Sequence, residues 1–277
     1  MPRGPHIDAL FALSGRVAMV TGGAQNLGLD MAEALAEAGA DLAITSRDPA
    51  KAERIAGELG DHAGVEVLAI GMDMLDPASV EAAFATVLDE FGRLDVLVNN
   101  AGGARLSSGG VTTDERCVED FDYVVRLNIL GTFLCCRAAV PIMRDGGGGS
   151  IVNIASISGL RGSTLRVAYG TSKAAVIHLT RQQAAELGEH GVRANCVAPG
   201  PVRTKLAQVH TPEIVAAYHD SIPLNRYGSE DEIASVIVFL CSGKASYVTG
   251  QVLAADGGFE STGVGLPALR AEGAGQA

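Results

Sequence analysis

The 277-residue chain has no tryptophan, four lysines and few aromatic residues of any kind, 4% in all. Its formal charge is −11 at pH 7, and no run of lysine or arginine stands against that balance. A polyanion is held by clustered basic surface, so nucleic acid is excluded as a partner class. No uninterrupted apolar stretch reaches the ~18–20 residues that span a bilayer, and Met1–Leu10 carries no signal-like apolar core, so no membrane association is expected. The five cysteines (Cys117, Cys135, Cys136, Cys196 and Cys241) show no CxxC spacing, and the histidines show no HxxxH pairing. A disulfide framework and a metal site are therefore not expected, and reduced thiols point to the cytoplasm. His178, inside an apolar helical run, reads as a packed helix residue.

What the chain does have is small and apolar residues: 47% are hydrophobic and 35 are glycine. Near-continuous apolar runs at 16–21, 41–45, 65–70, 94–100, 150–156, 193–198 and 251–255 read as strands covered on both faces. Helical patterns lie between them, near 27–38, 49–59, 77–91, 115–144, 165–189 and 229–242. Alternation repeated this often predicts an α/β fold, a single-domain, doubly wound, Rossmann-type parallel sheet with helices on both faces. The domain is placed at 12–260, with flexible tails at 1–11 and 263–277 and a flexible joint at the glycine run 144–150.

The first strand leads into "TGGAQNLG" (21–28). A glycine-rich turn entering a helix brings backbone N–H groups and a positive dipole end to a diphosphate. The spacing is not the generic G-x-G-x-x-G: Gly22 and Gly28 frame the turn, with Asn26 between them. Asn tolerates left-handed backbone angles, so the turn survives. The second strand ends on Ser46 and Arg47, where NAD binders place a carboxylate on the ribose hydroxyl. A planar, permanently charged guanidinium suits a 2′-phosphate instead, which favours NADP(H) while leaving NAD(H) possible. Asp48-Pro49 reads as a helix cap followed by the first helical residue.

"VAYGTSKAA" (167–175) places Tyr169 and Lys173 one helical turn apart, on one face. A phenol with a pKa near 10 is a poor proton carrier at neutral pH, and a neighbouring ammonium favours its ionised form. Chance alone gives such a pair about 7% of the time, so its company matters. Ser156 ends the fifth strand, Asn99-Asn100-Ala101-Gly102 ends the fourth, a polar Asn128 interrupts an apolar helix, and Pro199-Gly200 closes the sixth strand.

With these motifs in place, residues 12–260 resemble the short-chain dehydrogenase/reductase family. The thirteen-residue step from Ser156 to Tyr169 is the family's usual one. The resemblance implies Tyr169 as general acid/base, Ser156 as hydrogen-bond partner of the substrate oxygen, and Lys173 as the group that lowers the tyrosine pKa and holds the nicotinamide ribose. It implies Asn128 as anchor of a proton-relaying water. Gly22, Gly23, Gln25, Asn26 and Leu27 would line the diphosphate turn, and Ser46 and Arg47 would meet the 2′-phosphate. Asp73 and Met74 would frame the adenine, and Asn100, Ala101 and Gly102 would underlie the riboses. Pro199, Gly200, Val202 and Thr204 would hold the carboxamide end. Gln25 stands where many NADP-preferring members carry a second basic residue.

The expected reaction is the interconversion of a small-molecule ketone and a secondary alcohol, on a neutral or mildly polar substrate. A 3-oxoacyl-thioester reductase of acyl-carrier-protein type and a non-catalytic NADP(H)-binding sensor are the alternatives. Segments 156–169 and 203–229 are expected to build the substrate pocket, the second as a lid. A homotetramer formed through the helices at 115–144 and 165–189 is implied by the same resemblance.

Overall fold

The short apolar runs form seven parallel strands: β1 (Val17–Val20), β2 (Asp41–Ser46), β3 (Val67–Gly71), β4 (Val96–Asn99), β5 (Gly149–Ile154), β6 (Val192–Pro199) and β7 (Val252–Ala255). In this computed structural model, residues 11–104, 117–163, 166–204 and 211–262 are described; both proposed tails lie outside them, apart from Phe11. The sheet order is β3-β2-β1-β4-β5-β6-β7, so the winding reverses between β1 and β4. Helices α1 (Asn26–Glu37), α2 (Pro49–Ala63), α3 (Pro77–Phe91), α4 (Cys117–Val125), α5 (Gly131–Asp145), α6 (Val167–Leu187), α7 (Pro212–Ser221) and α8 (Glu230–Cys241) complete the described residues.

Strand alternation divides the core into two layers. Ala18 and Val20 of β1 pack with Met31 and Leu35 of α1 and with Ile233 and Ile237 of α8. Val17 and Met19, on the opposite face, pack with Phe84 and Val87 of α3 and with Leu134 and Met143 of α5. Two covered faces explain why these strands are apolar without a polar alternation. Helix ends follow the expected chemistry: the Asp48 side chain caps α2 by accepting from Lys51 N, with Pro49 at the first position.

Several expectations change. The glycine run after α5 is a tight turn: Gly148 sits at φ 125°, and a Cβ there would stand 2.5 Å from the Gly191 carbonyl. His178 is exposed on α6, its ring nitrogen 3.2 Å from the Gln182 amide. The helical stretch Cys117–Asp145, although interrupted by charged residues such as Asp122, Arg126 and Arg137, is long and apolar enough, by length and composition alone, to cross a membrane. It is apolar on two sides: Leu134, Ala139 and Met143 face the sheet, whereas Val118, Phe121, Leu130 and Phe133 are exposed.

Candidate active site

A cleft of about 1100 Å³ crosses the carboxyl edge of the sheet, where strand order reverses. Such a crevice is where open α/β sheets bind ligands. Its floor is stitched together by the ends of β1, β2 and β4. Thr21 Oγ1 accepts from Asn100 N and Ala101 N, both at 3.0 Å, and Asn100 Nδ2 donates to Thr21 O at 3.0 Å. Gly22 N donates to Thr45 Oγ1 at 3.1 Å.

Gly22 and Asn26 hold the left-handed angles the turn requires, φ 66° and 47°. Gly28 is needed for space, since a Cβ would overlap the Gly22 carbonyl and the Asn100 amide. Gln25, at the cap of α1, makes no side-chain cap hydrogen bond, and the first turn holds no acidic residue. A twelve-residue helix begun in this way offers N–H groups and dipole to an anion, so the turn fits a dinucleotide diphosphate. Gly23 is the exception among the expected turn residues. It does not line the cleft; a Cβ there would stand 3.0 Å from Ile44 Cγ2 and Val20 O, so it serves packing against β2.

At the adenosine end, Ser46, Arg47, Asp73 and Met74 all line the cleft. Arg47 is exposed and makes no hydrogen bond or ion pair with another described residue. Sequence reading missed Lys51, which also lines this end and donates from Nζ to Gln25 Oε1. It sits three residues into a capped helix, where a lysine looks like ordinary surface.

At the other end, Gly102 passes so close to the α4–α5 junction that a Cβ would stand 2.6 Å from Asn128 Oδ1. Asn128 lies in a π-helical turn (Arg126–Leu130) between α4 and α5, closed by Gly131 N donating to Arg126 O. Both of its amide hydrogens are engaged, to Gly103 O at 2.9 Å and Ser172 Oγ at 2.8 Å, and Oδ1 accepts from Gly103 N at 2.9 Å. Asn128 does not line the cleft; its side chain ties the β4 loop to α6. Pro199, Gly200, Val202 and Thr204 do line it.

Ser156, Tyr169 and Lys173 meet there too. Ser156 follows β5, its Oγ accepting from Ser158 N at 3.1 Å, and its hydroxyl hydrogen-bonds Tyr169. Lys173 is buried, with Nζ 5.7 Å from the Tyr169 ring centroid and donating to Ile154 O at 2.7 Å. Burial depresses its pKa to about 8. Burial also raises the Tyr169 hydroxyl above the ordinary phenol value, and the Ser156 hydrogen bond and the Arg166 guanidinium offset this only in part. Burial thus works against the expected tuning of Tyr169 by Lys173: it lowers the pKa of the cation and raises that of the phenol. A neutral Tyr169 is the form that can donate a proton.

The two segments expected to build the substrate pocket, 156–169 and 203–229, carry four arginines: Arg161, Arg166, Arg203 and Arg226. Arg226 is paired with Glu232 at 2.6 Å, outside the cleft. Arg203 does not line the cleft, whereas Arg161 and Arg166 do. Tyr218, Tyr227 and Phe259 form its aromatic wall, Tyr218 lying 5.6 Å from Tyr227 and 5.9 Å from Phe259, centroid to centroid. Of the expected lid, Lys205–His210 lie outside the described residues. Among those described, one potential metal-donor group, Glu33, Glu37 and His62, sits on the α1–α2 surface away from the cleft, with His62 and Glu37 exposed.

A seven-stranded parallel sheet with this cleft defines a dinucleotide-type oxidoreductase, and the chain belongs to the short-chain dehydrogenase/reductase family, acting on CH–OH/C=O carbons. The family description that matches residues 22–260 reads enoyl-(acyl carrier protein) reductase. The 3-oxoacyl-[acyl-carrier-protein] reductase of Aquifex aeolicus is 37% identical over 250 residues, 89% of this chain and 98% of that one. The gluconate 5-dehydrogenase of Burkholderia cenocepacia, solved with NADP and tartrate, superposes with a TM-score of 0.87 at 32% identity, covering 93% of this chain and 100% of that one. A 7α-hydroxysteroid dehydrogenase solved with NADH and 7-oxo glycochenodeoxycholic acid gives 0.84 at 32% identity, covering 90% and 96%. These relatives differ in the compounds they are named for or solved with, and NADP and NADH are both found among them, so the likeness leaves substrate and cofactor to this chain's own residues.

Proposed function

We propose that the protein is an NADP(H)-dependent oxidoreductase interconverting a ketone and a secondary alcohol. The observation that carries this reading is the meeting of Ser156, Tyr169 and Lys173 in the same cleft as Ser46, Arg47 and Lys51. The bound nicotinamide supplies the hydride. Tyr169 donates the proton to the carbonyl oxygen in reduction and takes it back in oxidation, while Ser156 hydrogen-bonds that oxygen as charge develops on it. Lys173 holds the ribose end and stands ready to return a proton, its pKa of about 8 lying close to neutrality. Asn128 acts as a positioning residue through Gly103 and Ser172 rather than as the side-chain anchor of a water.

For the cofactor, Arg47 supplies an uncommitted guanidinium and Lys51 a second cation, the one that Gln25 does not. Together they favour a 2′-phosphate over a bare ribose hydroxyl. A 3-oxoacyl thioester is the second substrate class, favoured by the relative in Aquifex aeolicus. The exposed apolar row Val118, Phe121, Leu130 and Phe133 supports assembly as a homotetramer. The buried thiols of Cys135, Cys136, Cys196 and Cys241 form no disulfide, which supports a cytoplasmic location.

The test follows nicotinamide absorbance with NADPH and NADH over a panel of ketones, oxo acids and acyl thioesters. NADPH is expected to give the higher kcat/KM. NADH outrunning NADPH would remove Arg47 and Lys51 from the account, and no oxidation of either cofactor over the panel would remove the catalytic reading.

A further inference from the structure

We infer that the substrate carries an oxyanion close to its reacting carbon, bound by Arg161 and Arg166. This rests on the oxidoreductase reading and replaces the neutral substrate expected from sequence. The chain is strongly acidic overall, yet the described charged residues lining the substrate end of the cleft are Arg161, Arg166 and Lys173. The acidic residues that line the cleft, Asp48 and Asp73, lie at the adenosine end.

Neither guanidinium is neutralised by a described carboxylate. Arg166 is half-buried, with Cζ 5.9 Å from the Tyr169 ring centroid. Arg161 is held by its edge: Nη1 donates to the Phe259 carbonyl at 2.9 Å and Cζ lies 4.5 Å from the Phe259 ring centroid. The backbone bond and the stacked ring fix the direction of the guanidinium while leaving most of its donors free. Cations collected in a cleft with no acidic partner call for an anion from outside, and planar guanidinium forks match carboxylate or phosphate geometry. The Ser163 hydroxyl, which donates to Ser158 Oγ at 3.0 Å, adds a polar floor. Arg166 lies over the Tyr169 ring, so an oxyanion held by it would stand a short spacer from a carbonyl facing that tyrosine, and the class is a small oxo acid or hydroxy acid or its phosphorylated counterpart.

The experiment compares kcat/KM for α-, γ- and δ-oxo acids with their methyl esters, in wild type and in Arg161→Gln and Arg166→Gln. The best acid should exceed its ester about tenfold or more, and the ratio should fall toward one in both variants, through KM. Matched oxo-phosphonates and their diesters form a second arm, which tells carboxylate from phosphate. Anion-to-ester ratios at or below one in both arms, or ratios that both variants leave unchanged, would overturn the inference. If no compound is turned over, calorimetry of pentanoate, pentylphosphonate and pentanamide on the enzyme with NADPH decides it separately. An anion bound more tightly than the amide, with the preference lost in Arg166→Gln, upholds the subsite while the catalytic reading fails. Equal binding of all three overturns the subsite.

Discussion

The adenosine and substrate ends of the cleft differ in how far apart along the chain their walls lie. At the adenosine end, Gly22 and Asp73 each follow the carboxyl end of a strand and Ser46 closes β2, and neighbouring strand ends are joined directly, as by Gly22 N and Thr45 Oγ1. At the substrate end, Arg161 meets the carbonyl of Phe259, 98 residues away, and the Tyr218 ring packs against the same Phe259. Parallel winding alone brings the first set together. The second set depends on how loops after β5, β6 and β7 fold over the sheet edge. Topology thus specifies the cofactor half, and the loops are free to specify the substrate, which is how one family serves differing substrates.

Four perturbations would sharpen or break that contrast. The largest effect is expected where the two ends meet: Lys173→Met should lower kcat by about 10²- to 10⁴-fold, measured in steady state. A variant with near-normal kcat would take the lysine out of the proton path. Next, Arg47→Ala combined with Lys51→Ala should weaken NADPH binding by about ten- to a hundredfold in fluorescence titration and leave NADH little changed. Equal losses would show that neither cation meets the phosphate. Gly28→Ala should cost about 1–3 kcal/mol in denaturant unfolding and weaken both cofactors, because its Cβ enters the Gly22 carbonyl. Unchanged stability would mean that the turn is not closely packed.

The smallest effect is on stability against pH. The folded-state pKa of Lys173, about 8, lies below the ordinary lysine value of 10.5. Below pH 8 both states carry the proton and the burial penalty is complete; between about 8 and 10.5 the unfolded chain binds more protons, so this group favours folding increasingly as pH rises. The Tm of wild type relative to Lys173→Met should therefore climb across that window. A flat difference would mean that the ammonium is not desolvated.

The layers of the sheet were legible because strands covered on both faces must be apolar and because helices must separate parallel neighbours. The bend at Asn26 was legible because few residues other than glycine take its φ of 47°. The packing role of Gly23 was not legible, because a glycine needed beside Ile44 looks, in sequence, like one needed for a ligand. Lys51 was missed because its reach to Gln25 spans two helices. The π turn around Asn128 left only one sign, a polar residue in an apolar helix, and that sign does not distinguish a water anchor from a clamp on Gly103. The burial that raises the Tyr169 pKa was not legible, because spacing reveals the neighbouring charge and says nothing of desolvation.

The most direct measurement is single-turnover NADPH oxidation by Tyr169→Phe, run with the best carbonyl substrate and paired with NADPH fluorescence titration. A phenol acting as the proton donor predicts that hydride transfer collapses while the cofactor still binds. Turnover at the wild-type rate in that variant would contradict it.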